Sequence, residues 1–143
     1  MKRTALIATL TALALAGTAI AQEATLPEVK ARKQQMQEQR MAVAVLGDMA
    51  SGKTAFDAGA AAAAKAALAE LGVGIPAKFE AEVTEAASKA KPEIWMMWDD
   101  FVVKSEALTV AANALDASSL DGVRAGMPAI GGSCQACHQL YRN

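Results

Sequence analysis

Histidine is scarce in this sequence, because His138 is the only one among 143 residues. There are two cysteines and four prolines, and runs of β-branched residues, which favour strands, are nearly absent. We find no set of nucleophile, base and orienting group, so the sequence does not predict an enzyme. Basic residues do not outnumber acidic ones. That balance argues against a nucleic-acid ligand, whose binding relies on clustered Lys and Arg.

The N-terminal segment is typical of a cleaved signal peptide. Lys2 and Arg3 precede an apolar run from Ala5 to Ala16, and Ala19-Ile20-Ala21 supplies the small residues of a cleavage site. A retained membrane helix is the alternative, but Thr and Gly residues interrupt the run before it reaches about 20 apolar residues. We therefore expect cleavage after residue 21, export from the cytoplasm, and one mature domain over residues 22–143 that contains no membrane span.

Charge identifies no partner. Without Lys2 and Arg3 the mature domain has 12 basic and 15 acidic residues, a formal charge of about −3. This mildly acidic balance would suit a basic partner, but it is too small to indicate one.

The mature sequence, rich in Ala, Leu, Glu, Lys and Gln, predicts four helices. The first runs from about Pro27 to Ala50, and the second begins after Asp57, a suitable N-cap, and ends at Leu71. Residues 72–91 form a long connection. In it, Ile75, Pro76 and Phe79 are expected to cover one end of the core, and residues 80–89 to form an extra helical turn.

The third helix is expected to begin at Pro92, since proline fits the first helical position. The fourth should begin after Ser118 or Ser119, because Ser118 with Asp121 resembles a capping box. Pro128 should kink it. Apolar residues in steps of three and four mark a buried seam on each of these helices. The seams are Ile94, Trp98, Phe101, Ser105, Leu108, Ala112 and Leu115, and Leu120, Val123, Met127, Ile130, Cys134, Cys137 and Tyr141. The expected fold is all-α, an antiparallel four-helix bundle.

The sequence Cys134-Gln135-Ala136-Cys137-His138 has the form of the c-type haem attachment motif. On a helix, residues three and four apart share a face, so two thiols can add to the haem vinyl groups while the imidazole reaches the iron. A disulfide, a thioredoxin-like redox pair and a zinc site are the alternatives. The disulfide leaves the histidine unexplained, no strand pattern precedes the pair, and zinc would need a fourth ligand.

The terminal position of this motif resembles the class II c-type cytochromes, the family that contains cytochrome c′. Gln139-Leu140-Tyr141-Arg142 follows the motif, Lys91-Pro92-Glu93-Ile94-Trp95 resembles the start of the family's third helix, and Phe56-Asp57 resembles the start of its second. The resemblance covers nearly the whole mature chain. It implies a four-helix bundle with one covalently bound haem c, and the signal peptide predicts a periplasmic location. Many relatives form homodimers through the first two helices, and the small Ala faces of this sequence fit either such a contact or close packing within one chain.

The sixth iron ligand decides the function. A second histidine is excluded within one chain, so the ligand is a methionine, a lysine or absent. Met36 lies on the face of Val29 and Val43, where a methionine is also ordinary core filler. The family has a branch with open, high-spin iron and a low-spin branch with a first-helix methionine ligand. The segment from Val29 to Met36, with Val45-Leu46-Gly47 after it, resembles the low-spin branch, which implies Met36 as the ligand.

Other residues are expected near the haem. Arg32 would offset the charge of a haem propionate, or else be a solvated cation. Trp95, Trp98 and Phe101 would pack on the haem, although a plain helical core would use the latter two in the same way. Tyr141 would cover the haem edge.

The sequence therefore predicts an electron carrier whose low-spin haem is held by His138 and Met36 and whose partners are redox proteins. The alternative is a high-spin, five-coordinate cytochrome c′ that binds small gases such as NO or CO. A purely structural bundle with a disulfide is a third hypothesis.

Overall fold

The computed structural model describes residues 23–143, and the predicted signal peptide lies outside the described residues. Six helices follow one another in this part of the chain. They are α1 (Pro27–Ala50), α2 (Ala58–Val73), α3 (Ile75–Phe79), α4 (Glu93–Met96), α5 (Trp98–Ala114) and α6 (Leu120–Tyr141). The four long helices form the predicted antiparallel bundle, in which α1 and α5 each pack against α2 and α6. Among the described residues, no helix is long and apolar enough to cross a membrane.

The first two helices begin where local sequence signals place them. Pro27 opens α1, and the Asp57 carboxylate caps α2 by accepting the backbone N–H of Ala60 at 2.8 Å. The predicted end of α2 at Leu71 was wrong, because the helix continues through Gly72 to Val73. Gly72 is buried against α5, where a Cβ atom would lie 2.4 Å from Thr109 Oγ1. Its role is therefore close helix packing and not termination.

The connection between α2 and α5 differs from its prediction. The extra helical turn is α3, over Ile75–Phe79, and residues 80–89 are not helical. Backbone groups of the non-helical stretch bond elsewhere: carbonyl groups accept from Arg32, and Ala90 forms an isolated antiparallel bridge with Arg142. These long-range partners replace the bonds that a helical turn would make.

The predicted third helix is divided in two. Met97 leaves the helical region (φ −126°, ψ 48°) and separates α4 from α5. On α4, the Trp95 indole donates to Phe79 O at 2.7 Å, so the short helix is tied to α3 while α5 follows the bundle. The break reorients the chain between these two attachments.

The cap of α6 is Ser119, whose hydroxyl accepts the N–H of Gly122 at 3.0 Å. The predicted box with Ser118 was wrong because the Ser118 hydroxyl donates to Asp116 instead, at 2.7 Å. Helix α6 continues through Pro128. The predicted seams form the core apart from half-buried positions such as Trp98. Fully buried side chains include Val29, Leu46, Leu68, Ile94, Leu115, Val123 and Ile130.

Candidate haem site

A cavity of about 560 Å³ lies among α1, α3, α5, α6 and the segment before α4. Its size falls within the roughly 300–1,000 Å³ that small-molecule and cofactor sites occupy. Most of its wall is apolar. The apolar lining includes Val29, Val43, Ile75, Phe79, Ile94, Phe101 and Leu108. Such a wall excludes water and accommodates a large, flat, mainly apolar group.

Both thiols and the imidazole of the attachment motif line this cavity. Cys134, Cys137 and His138 lie on one face of α6, half-buried, and the thiols are not joined in a disulfide. Burial raises the pKa of Cys134, and it raises that of Cys137 to about 11 with a further contribution from Cys134. Because a redox-active cysteine pair needs a stabilised thiolate, these apolar surroundings argue against the thioredoxin-like interpretation.

The surroundings of the His138 imidazole favour its neutral form. Burial lowers its pKa, and the positive charge of Arg142 lowers it further. Neutral imidazole is the form that binds metals, so the site favours the state that iron ligation requires.

The end of α6 is fastened to the segment before α4. The N–H of Lys91 donates to Tyr141 O at 3.0 Å, and the N–H of Asn143 donates to Lys89 O at 2.9 Å. Because Tyr141 lies one helical turn after Cys137 and His138, these bonds also fix the position of the motif.

Tyr141 and Phe101 form a packed corner of the cavity. Their rings meet edge to face with centroids 5.3 Å apart, and the Tyr141 hydroxyl donates to Asp100. Burial and the Asp100 carboxylate raise the pKa of Tyr141 to about 12. Both residues line the cavity, whereas Trp95 and Trp98 are absent from its described lining. Of the three aromatic residues on α4 and α5, Phe101 is therefore the one placed to pack on a cofactor.

Of the methionines in the described part of the chain, only Met36 lines the cavity. Met49 is buried in the core, and Met127 packs against it next to Gly47. Met41, Met96 and Met97 are exposed. The structure thus brings one thioether to the space that holds His138.

Arg32 also lines the cavity, but its side chain has partners in the protein. It is 3 % exposed, and its guanidinium donates to Lys78 O at 2.8 Å, to Val83 O at 2.6 Å and to Ala81 O. The guanidinium also lies over the Phe79 ring, 4.9 Å from its centroid. Three of the five N–H groups of the guanidinium donate to these carbonyl groups. The predicted contact with a haem propionate would have to use the other two. The interpretation of Arg32 as a solvated cation was wrong.

These residues fit a covalently bound haem. The cavity combines two thiols, an imidazole, a thioether and apolar walls, and these sulfur and nitrogen groups are of the kinds that attach haem or bind its iron in proteins. The described residues contain no group of three or more His, Cys, Asp or Glu side chains that could hold a metal ion by themselves. The donor set is thus suited to an iron whose remaining ligands come from a porphyrin.

Sequence reasoning missed the partners that hold the site in place. Asp100, Lys78, Ala81 and Lys89 belong to it through contacts between distant parts of the chain, and no motif or periodicity marks them. Phe79 was predicted to cover one end of the core, and it lines the cavity as well. The contribution of Asp100 follows only from the folded structure, in which the last helix brings Tyr141 beside it.

The four-helix bundle and the motif on its last helix define a c-type haem protein. Residues 27–142 match the family described as Cytochrome C′. The chain is 32 % identical over 118 residues to cytochrome c-556 of Agrobacterium fabrum, an alignment that covers 80 % of each protein. The chain belongs to the cytochrome c′ family, the class II c-type cytochromes, and binds haem c covalently.

Solved structures show the same architecture. A nitric oxide complex of a cytochrome c prime mutant from Alcaligenes xylosoxidans has a TM-score of 0.72 and 30 % identity, and the match covers 81 % of this chain and 94 % of that one. A structure of oxidized cytochrome c556 from Rhodopseudomonas palustris has a TM-score of 0.69 and 24 % identity, covering 82 % and 96 %. The second likeness shows the fold alone.

Proposed function

We propose that this protein is a periplasmic electron carrier in which His138 and Met36 ligate the haem iron. The proposal rests on the position of Met36, which lines the cavity together with Cys134, Cys137 and His138 while the other described methionines do not. The similarity to cytochrome c-556 supports it, because the resemblance that implied Met36 was to the low-spin branch of the family. The partners would be redox proteins. The homodimer through the first two helices stays a prediction.

Each residue has a defined task in this proposal. Cys134 and Cys137 would hold haem by thioether bonds, and His138 and Met36 would each offer a lone pair to its iron. The bound haem supplies an iron that alternates between the ferric and ferrous states. The apolar wall excludes water, and a thioether partnered with imidazole favours the ferrous state and so raises the reduction potential.

The anchoring of α1 and α6 suits electron transfer. Arg32 fastens α1 to the segment 78–83 one helical turn before Met36, and the bonds at Lys91 and Asn143 fasten α6 just after His138. Both ligands then keep their positions when the charge of the iron changes. A small structural change between oxidation states speeds electron exchange. The described residues of the site include no set of nucleophile, base and orienting group, so we do not propose an enzyme.

A second candidate function is gas binding at five-coordinate iron. One observation favours it, namely that a structurally similar relative was solved as a nitric oxide complex. In that case Met36 would be a packing residue on the cavity wall, and the distal side of the iron would be open.

Optical spectra of the ferric and ferrous holoprotein, with and without carbon monoxide, separate the two functions. We expect low-spin spectra in both states and little reaction of the ferrous protein with carbon monoxide, because a bound thioether must leave first. A high-spin ferrous spectrum with rapid carbon monoxide binding would instead support the gas-binding protein.

A further inference from the structure

The basic residues of this chain are concentrated around the haem cavity. Six of them line it: Arg32, Lys33, Arg40, Lys89, Lys104 and Arg142. None of the 15 acidic residues, all of which lie in the described part of the chain, lines the cavity. That part has 12 basic residues, so its remaining surface has six basic against 15 acidic residues. A protein with an overall negative charge thus presents a positive face at its cofactor.

Arg32 is buried and bonded to backbone carbonyl groups, so the solvent-facing cations are the other five, which we name the cationic rim. Lys33, Arg40, Lys89 and Arg142 are exposed, and none has an acidic partner within 4 Å among the described residues. Lys104 is half-buried and pairs with Asp100 at 3.6 Å. Four charges of the rim are therefore not neutralised by acidic side chains of the described residues.

The rim forms only in the folded chain. Lys33 and Arg40 are seven residues apart on α1, which places them two turns apart on one face. Lys89 and Arg142 come together through the bridge between Ala90 and Arg142, and Lys104 extends from α5.

We propose that the cationic rim is the docking surface for an acidic patch on a redox partner protein. The inference rests on the proposed electron transfer, which requires a partner to approach the haem at this cavity. Clustered charges of one sign steer an oppositely charged partner and orient it, even when the net charge of the protein is unfavourable. A carboxylate-rich protein surface matches the rim in both sign and position.

An anionic membrane is a weaker match for the same charges. Membrane-surface binding combines basic residues with exposed large apolar residues that enter the lipid. The aromatic residues at this cavity, Phe79, Phe101 and Tyr141, are all buried. The described aromatic residues of the cavity therefore offer no exposed ring that could enter a membrane.

The sign of the salt dependence tests the rim. Ferrous holoprotein is mixed in a stopped-flow instrument with hexacyanoferrate(III), an anion, or tris(bipyridine)cobalt(III), a cation, at increasing ionic strength. With the rim controlling approach, added salt should slow the reaction with the anion and speed up the reaction with the cation, because salt screens attraction and repulsion alike. Control by the net charge, which is about −3 for the mature polypeptide without haem, gives the opposite signs and would overturn the proposal.

Two substitutions that make the same charge change at different sites test whether the salt dependence comes from the cationic rim. At low ionic strength, Lys89→Glu should lower the rate with hexacyanoferrate(III) about threefold or more, a modest part of the roughly 10- to 1,000-fold that electrostatic steering can contribute. Lys53→Glu makes the same charge change at an exposed site beyond the end of α1. Ala50 is ten positions after Arg40 on α1, about 15 Å along the helix axis, so Lys53→Glu should have less than half the effect, in fold terms, of Lys89→Glu. Equal effects would overturn the proposal.

Two further measurements separate the partner class and the underlying function. Wild-type protein should be retained by immobilised poly-glutamate more strongly than Lys89→Glu and should not sediment with phosphatidylglycerol vesicles. Rim-dependent sedimentation with the vesicles would overturn the protein partner in favour of a membrane. The ferrous spectrum, recorded before mixing, reports iron ligation separately. A high-spin spectrum with the expected salt signs contradicts the Met36 ligand and retains the rim, whereas a low-spin spectrum with opposite signs contradicts the rim alone.

Discussion

Met36→Leu is expected to convert a low-spin haem protein into a high-spin one that binds carbon monoxide. Leucine fills nearly the same volume as methionine, so the fold should lose less than about 1.5 kcal/mol, but it has no lone pair for the iron. Loss of the thioether also removes its preference for ferrous iron, so the reduction potential should fall. We expect a fall of about 0.1 V or more, a modest part of the roughly 0.8 V that axial ligands span. Optical spectra and a potentiometric titration measure both effects.

Met49→Leu is the matched control for this change. Met49 is 5 % exposed in the core but does not line the cavity, so its replacement tests the cost of the substitution without touching the haem. Its spectrum and potential should equal those of the wild type. If Met36→Leu also leaves both unchanged, Met36 is a packing residue and the electron-carrier proposal loses its main support.

Arg32→Ala is expected to lower the free energy of unfolding more than Met36→Leu or Arg124→Ala does. The change deprives the carbonyl groups of Lys78, Ala81 and Val83 of their donor and removes a cation over the Phe79 ring. A buried polar group left without a partner costs about 1–3 kcal/mol. Because part of the segment can relax toward water, we expect about 3 kcal/mol in total, measured by urea unfolding of the holoprotein.

Arg124→Ala provides the comparison. Arg124 is exposed, donates to one carbonyl, Ala50 O at 2.9 Å, and forms an exposed ion pair with Asp121 at 3.8 Å. We expect its replacement to cost about 1 kcal/mol or less, as for other exposed interactions. Similar losses for the two variants would show that the Arg32 bonds do not hold the segment in place.

The parts of the fold that the sequence predicted are those determined by local chemistry. Pro27 and the Asp57 cap act within one helical turn, and the seam on α6 follows from spacing alone. Ile75 and Phe79 are buried as predicted. The helical turn was wrongly predicted at residues 80–89, because the backbone bonds of that stretch run to Arg32 and to the C-terminal residues, which are distant in sequence. The choice between Ser118 and Ser119 as a cap was settled by Asp116, a competing acceptor that the capping pattern does not include.

In the candidate site, too, the sequence predicted what local spacing determines and missed what long-range contacts determine. The motif residues lie together on the cavity because three- and four-residue spacing puts them on one helix face, and Met36 faces the same cavity. Arg32 was predicted beside the haem, and the structure shows it lining the cavity but bonded to carbonyl groups that no sequence pattern links to it. The charge of the whole chain predicted a weak preference for basic partners, whereas the folded surface around the haem is positive. Net charge averages over faces that folding separates.

The methyl groups of the methionines provide the most direct test that Met36 ligates the haem iron. Ferrous holoprotein with ¹³C-labelled methionine methyl groups should show one methyl proton signal shifted far upfield by the haem ring current, and that signal should disappear in Met36→Leu. The other methionine methyl groups should remain in their ordinary range. A spectrum in which every methionine methyl signal lies in that range would contradict ligation by Met36.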